Sequence, residues 1–176
     1  MRRAPVHAVV LAGGAGTRFW PLSREARPKP LLRVVGEGSL LADAVARAKR
    51  VADDGCVWLV CGRDHADVVR REAGLPRART LVEPRMRNTA AAIGLAAARI
   101  AALAPDAVMV VLPADHRVPQ QRAFAAAVRS AVRAASREPV LVTLGVRPTR
   151  AETGYGYIRL GAAVGRAHPG LHRVLR

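Results

Sequence analysis

Aromatic residues make up only 3% of this 176-residue chain, two each of Phe, Trp and Tyr. A surface that grips nucleic acid by stacking bases needs more of them. Cysteine is scarce too, with only Cys56 and Cys61. In a strand that spacing would hold them about 16 Å apart on opposite faces, so they cannot bridge, and the neighbourhood offers too few ligands for zinc. Buried thiols are expected. No apolar run approaches the roughly 20 residues of a membrane span, and nothing at the N-terminus resembles the h-region and cleavage site of a signal peptide. A cytoplasmic address without membrane contact is therefore expected. Acidic residues are few, 13 against 29 basic ones, which leaves a net charge of +16. Such a balance ordinarily suggests a polyanionic partner. Here all the basic residues except Lys29 and Lys49 are arginines spread along the whole chain. That bias fits genomic base composition as well as function, and no nucleic-acid partner is expected.

With 51% hydrophobic and 24% charged residues, the chain has enough apolar material for a real core. Short apolar runs alternate with helical patterns. Val6 to Ala12 reads as a buried parallel strand, and Ser39 as the cap of a helix running to about Ala52. Cys56 to Cys61 is a second strand, and Asp64 opens a short helix ending near Gly74. Arg79 to Val82 is a third strand, followed by an alanine-rich helix from Thr89 to Ala104 that Asn88 can cap. The strand Ala107 to Leu112, the helix Pro119 to about Ser136 and the strand Val140 to Gly145 complete a β-α-β-α-β-α-β-α-β series. This predicts an α/β fold: a Rossmann-like, mostly parallel sheet with helices on both faces, which binds ligands beyond the carboxyl ends of its strands. No linker or repeat interrupts residues 1–176, so a single domain is expected. The ending at Arg176, just as Leu171, Val174 and Leu175 start a strand-like pattern, reads as an incomplete C-terminal side.

The first strand runs into Gly13-Gly14-Ala15-Gly16-Thr17-Arg18. Three glycines in four positions let backbone N–H groups approach an anion, and Arg18 adds a guanidinium beside them. A polyphosphate site follows, or else a tight turn without a ligand. The loop is neither a Walker A motif, because no Gly-Lys-Ser/Thr ends it, nor a dinucleotide fingerprint, because Phe19 stands at the third glycine position.

The longer run Leu11 to Arg24, with Pro28-Lys29-Pro30-Leu31, resembles the signature of the sugar-1-phosphate nucleotidylyltransferases. Its Phe19-Trp20-Pro21-Leu22-Ser23-Arg24 portion looks like the mannose-1-phosphate guanylyltransferase branch. Three further blocks agree in order: Glu83-Pro84 with Arg87-Asn88-Thr89-Ala90, then Leu112-Pro113-Ala114-Asp115-His116, then Thr143 to Thr149 with Glu152 to Ile158. Pro30, where that branch more often has glutamine, and Ala91, where proline is usual, depart from the pattern. The family's fold continues beyond the length found here.

The resemblance implies a nucleotide-diphospho-sugar transferase type of fold and transfer of a nucleotidyl group from GTP to mannose 1-phosphate with Mg²⁺. UTP or dTTP in place of GTP, and a nucleotide-binding module without catalysis, remain as alternatives. By the same resemblance Arg18, Lys29 and Asp115 are catalytic, and Asp115 is the metal ligand. Leu11, Gly13, Gly14, Gly16, Thr17, Arg18, Glu83, Arg87, Asn88, Thr89 and Asp115 bind the nucleotide, while Gly145, Thr153, Gly154, Tyr155 and Gly156 form the sugar side. The residues also allow plainer roles: Lys29 as a solvated loop lysine, Asp115 and Asn88 as helix caps, His116 as a structural histidine. A homo-oligomer is compatible with all of this.

Overall fold

A computed structural model describes residues 3–13, 29–33, 38–165 and 170–175. Two compact units divide the chain, Met1–Ala125 and Ala126–Arg176.

The first unit holds a four-stranded parallel sheet built from β1 (Val6–Leu11), β2 (Val57–Gly62), β3 (Thr80–Glu83) and β4 (Val108–Pro113), in the order β3-β2-β1-β4. Helices α1 (Leu40–Lys49), α2 (Ala66–Ala73) and α3 (Asn88–Ala101) supply the crossovers, and α4 (Gln121–Ala135) follows β4 across the unit boundary. β1 is the central strand, paired on both edges and apolar along both faces. On one face Val9, Trp58 and Val60 pack against Ala92, Ala96 and Ile100 of α3. The residues that alternate with them, among them Ala8, Val10, Leu59 and Cys61, are as fully buried. Helices α1 and α2 contact the same strands. A continuous apolar strand is what a sheet covered on both sides requires.

Local chemistry sets several boundaries. The Ala42 amide donates to Ser39 Oγ at 3.1 Å, so Ser39 caps α1 as its sequence position suggests. Gly74 ends α2 at φ +60, a conformation glycine adopts without strain. At the start of β1, Asp53 Oδ2 accepts from the Val6 amide at 2.8 Å and its own amide donates to the Val6 carbonyl at 2.9 Å, while Arg3 pairs with the same carboxylate. The chain entering β2 is thereby clamped to the chain entering β1.

Two expectations fail. Val140 to Gly145 pairs with no strand; Leu141 is 104% exposed and Val146 92% exposed. An apolar run becomes a strand only where a neighbour offers a ladder, and among the described residues none does. The second unit instead pairs β5 (Leu160–Ala163) antiparallel with β6 (His172–Val174). Asn88 is not a side-chain cap. It is the first residue of α3, follows a cap position at Arg87 that makes no side-chain hydrogen bond, and has φ +61. Asparagine tolerates that left-handed geometry better than most residues, which suits a sharp reversal after β3.

Beneath α3, Trp58 Nε1 donates to His7 Nδ1 at 2.9 Å, and the Arg79 guanidinium lies 4.5 Å from the Trp58 ring centroid. Burial, then the Arg79 charge, hold the His7 pKa below its ordinary 6.5 against an opposing pull from Asp53. An unfolded His7 binds its proton more readily than the folded one. Its stabilising contribution is therefore present above about pH 6.5 and is lost as pH falls through the lower folded value. Urea unfolding should show a midpoint that drops below about pH 6.5, and His7→Asn, whose side-chain oxygen still accepts from Trp58, should remove that part of the drop. An identical pH profile in the variant would assign the effect to other groups.

Candidate active site at the carboxyl edge of the sheet

The strand register brings four chain segments to one level. Leu11 stands opposite Val60 on one side and Pro113 on the other, and Gly62 stands opposite Glu83. Two backbone bonds carry the ladder past the strand ends: the Ala12 amide to the Val60 carbonyl at 2.8 Å, and the Ala114 amide to the Leu11 carbonyl at 3.0 Å. Gly13, Gly62, Glu83 and Asp115 consequently emerge at the same edge. The order β3-β2-β1-β4 reverses direction at β1, and in open parallel sheets ligands bind at the carboxyl edge beside such a reversal.

Lys29 and Asp115 meet at that edge. Lys29 begins a 3-10 turn, Lys29–Leu31, with Pro30 buried behind it. Its Nζ lies 2.6 Å from Asp115 Oδ2, and the lysine side chain is only 19% exposed. Burial pushes the Asp115 carboxyl upward, but the Lys29 hydrogen bond and charge, with a smaller contribution from His116, outweigh it and hold the pKa below the usual value. Asp115 is therefore a carboxylate at neutral pH. His116 Nε2 stands 3.8 Å from Asp115 Oδ1 on a largely exposed side chain.

On the other side of β1, Glu83 is buried at 6% exposure. A Cβ placed on Gly13 would come within 3.3 Å of Glu83 Oε2, so the glycine is what lets the chain pass the carboxylate. Burial, and then the Glu83 charge, push the Cys61 thiol up to about 11, which makes it the inert buried thiol expected. Glu83 also lines a cleft of about 600 Å³ with Arg63, Pro84, Arg85, Arg87, Ala91 and Leu95.

In the second unit, Pro148 to Thr153 and Tyr157 line a separate cavity of about 580 Å³. Tyr157 ties this loop together: its hydroxyl accepts from the Glu152 amide at 2.8 Å and lies 3.1 Å from the Glu152 carbonyl. The Gly154 amide donates to Glu152 Oε1 at 3.2 Å.

The chain's sequence and fold have known counterparts. The family model described as nucleotidyl transferase matches residues 7–169. The chain belongs to the nucleotidyl transferase family. The chain is 42% identical over 160 residues to the xanthan biosynthesis protein XanB of Xanthomonas campestris pv. campestris strain B100, covering 89% of its own length and 34% of the relative. It is 40% identical over 159 residues to a mannose-1-phosphate guanylyltransferase of Escherichia coli, covering 89% of itself and 33% of that protein. A crystal structure described as mannose-1-phosphate geranyltransferase from Thermus thermophilus superposes with a TM-score of 0.85 at 40% identity, over 97% of this chain and 48% of that one. The chain thus spans about a third of the length of the curated relatives it matches. No helix among its described residues is long and apolar enough to cross a membrane.

Among the residues singled out by motif, Gly13, Lys29, Glu83 and Asp115 converge at the strand ends. Arg87, Asn88 and Thr89 lie exposed at the start of α3, with Arg87 lining the cleft. The Leu11 side chain packs on the core under α3, and its carbonyl accepts from the Ala114 amide. Gly14, Gly16, Thr17 and Arg18 lie outside the described residues. In the second unit Thr153 lines the cavity, whereas Gly145, Gly154, Tyr155 and Gly156 do not. Sequence reading missed Arg63, which no motif marks and which reaches the cleft because β2 ends level with β3.

Replacing Lys29 with methionine keeps the stem and removes the charge that lowers Asp115. A carboxyl-detected NMR titration of Lys29→Met should show the Asp115 pKa higher than in the parent protein. An unshifted titration would mean that the pair does not form in solution.

Proposed function

We propose that this chain carries the nucleotide-binding and catalytic edge of a mannose-1-phosphate guanylyltransferase, acting on GTP and mannose 1-phosphate to give GDP-mannose and pyrophosphate. The observation that carries the reading is the 2.6 Å contact between Lys29 and Asp115, which lie 86 residues apart in separate motifs and meet at the carboxyl edge of the sheet. An oxygen of the sugar phosphate attacks the α-phosphorus of GTP in line, and the bond to the bridging oxygen of pyrophosphate breaks. A phosphate with a second pKa near 6 needs no base at neutral pH, so positioning and charge neutralisation remain as the protein's work.

Gly13, Gly14, Gly16 and Thr17 supply backbone donors to the nucleotide phosphates, and Arg18 neutralises the departing pyrophosphate. Lys29 acts as a point charge on the same oxygens. Glu83 suits the guanine edge, because a carboxylate accepts from the ring N–H and the amino group together. Arg87, Asn88 and Thr89 flank the ribose. In the second unit Thr153, Gly154, Tyr155 and Gly156, with Gly145, are the candidate sugar-binding residues.

Asp115 is the group that would hold Mg²⁺. Its ionised oxygens suit a hard cation, and magnesium is commonly held by one or two carboxylates with substrate phosphates completing the shell. Among the described residues no cluster of three or more His, Cys, Asp or Glu side chains could cage a metal by itself. When bound, the ion neutralises charge on the phosphates. A cytoplasmic setting, where GTP is available, belongs to the same reading.

Calorimetry with GTP and Mg²⁺ tests it. Arg18→Ala should weaken GTP binding roughly tenfold to a hundredfold, the worth of about 1.5 to 3 kcal/mol for a charged hydrogen bond. Equal concentrations of UTP or dTTP should fail to displace GTP. Displacement by either would move the assignment to a transferase of another base.

A further inference from the structure

Met86 falls between two motif positions, Pro84 and Arg87, and no motif gives it a role. Its thioether lies over two glycines at once. A Cβ on Gly62 would stand 3.2 Å from Met86 Sδ and 3.3 Å from its Cγ, and one on Gly13 would stand 4.0 Å from the same sulfur. Gly62 ends β2 and Gly13 follows β1. The sulfur therefore bridges the carboxyl ends of two neighbouring strands. That same Gly13 Cβ position is 3.3 Å from Glu83 Oε2, so thioether and buried carboxylate border one small space.

A methionine that merely filled core would be buried, and one that merely decorated the surface would not sit on two strand ends. Met86 does neither: its inner end occupies the space beside Gly62 and reaches towards Gly13 while the residue stays 52% exposed. The bare glycines make room for it, and the left-handed turn at Asn88, two residues on, redirects the chain immediately afterwards. The result is a polarisable apolar surface at the mouth of the strand edge, next to a carboxylate acceptor.

We infer that Met86 is a base-positioning residue, its thioether packing against the face of the nucleobase while Glu83 reads the edge. This inference rests on the nucleotide-binding reading above and adds a recognition element to it. Glu83 discriminates by hydrogen bonding, whereas Met86 discriminates by contact area, because a two-ring purine covers more of the thioether than a pyrimidine does.

The test compares GTP with inorganic tripolyphosphate, each titrated calorimetrically in the presence of Mg²⁺. Tripolyphosphate shares the phosphates of GTP and lacks its base. Met86→Ala should weaken GTP binding roughly threefold to tenfold, the range of a sulfur–aromatic contact, and leave tripolyphosphate unchanged. Met86→Leu, which keeps the apolar volume, should restore most of the loss. GTP binding by Met86→Ala at parental strength or tighter would overturn the inference, as would equal losses for the two ligands. Parent protein that binds GTP no better than tripolyphosphate would remove the base site itself, and the role of Met86 with it.

Discussion

The hydrogen-bond ladders on either side of Val6–Leu11 set the level at which the chain leaves β1 towards Gly13 and β4 towards Asp115. β1 shares one edge with β2 and the other with β4, and both of its faces are buried. A slip of one residue would turn each of its side chains to the opposite face, a change a two-sided core forbids. Rigid register is thus what lets a glycine after β1, a glutamate at the end of β3 and an aspartate after β4 converge from positions far apart in the chain. The clamp between Asp53 and Val6 secures the other end of the same strand.

Two carboxylates at this edge sit in different surroundings, and the difference suits them to different work. Asp115 is partly exposed and held by an ammonium, which keeps it ionised and within reach of a cation. Glu83 is buried beside a glycine, a thioether and a thiol, and its charge is felt as a rise in the pKa of Cys61. The first environment is the one the proposed metal and phosphate role of Asp115 calls for. The second favours directional hydrogen bonding to a neutral base, because a buried acceptor gains most from a partner that fits.

Most of the first unit was legible in the sequence because each signal was local. Continuous valine-rich runs ended by glycine gave β1 and β2, Ser39 placed the start of α1, and Gly74 the end of α2. Val140 to Gly145 carried the same apolar signal and formed no strand, because pairing depends on a neighbour and not on composition. Asn88 has the composition of a cap and serves in the turn instead, since φ +61 is a property of the path between β3 and α3.

By itself the sequence determined the alternating elements, the glycine loop, and the motif residues Lys29, Glu83, Arg87 and Asp115, because periodicity, caps and short motifs are written within a few residues of one another. The tertiary structure alone decided that Lys29 meets Asp115, that Arg63 enters the cleft, and that Met86 lies across Gly13 and Gly62. Those contacts arise from strand order and register. Both are outcomes of burying the sheet on two faces at once, a condition on the whole chain that no local stretch of residues contains.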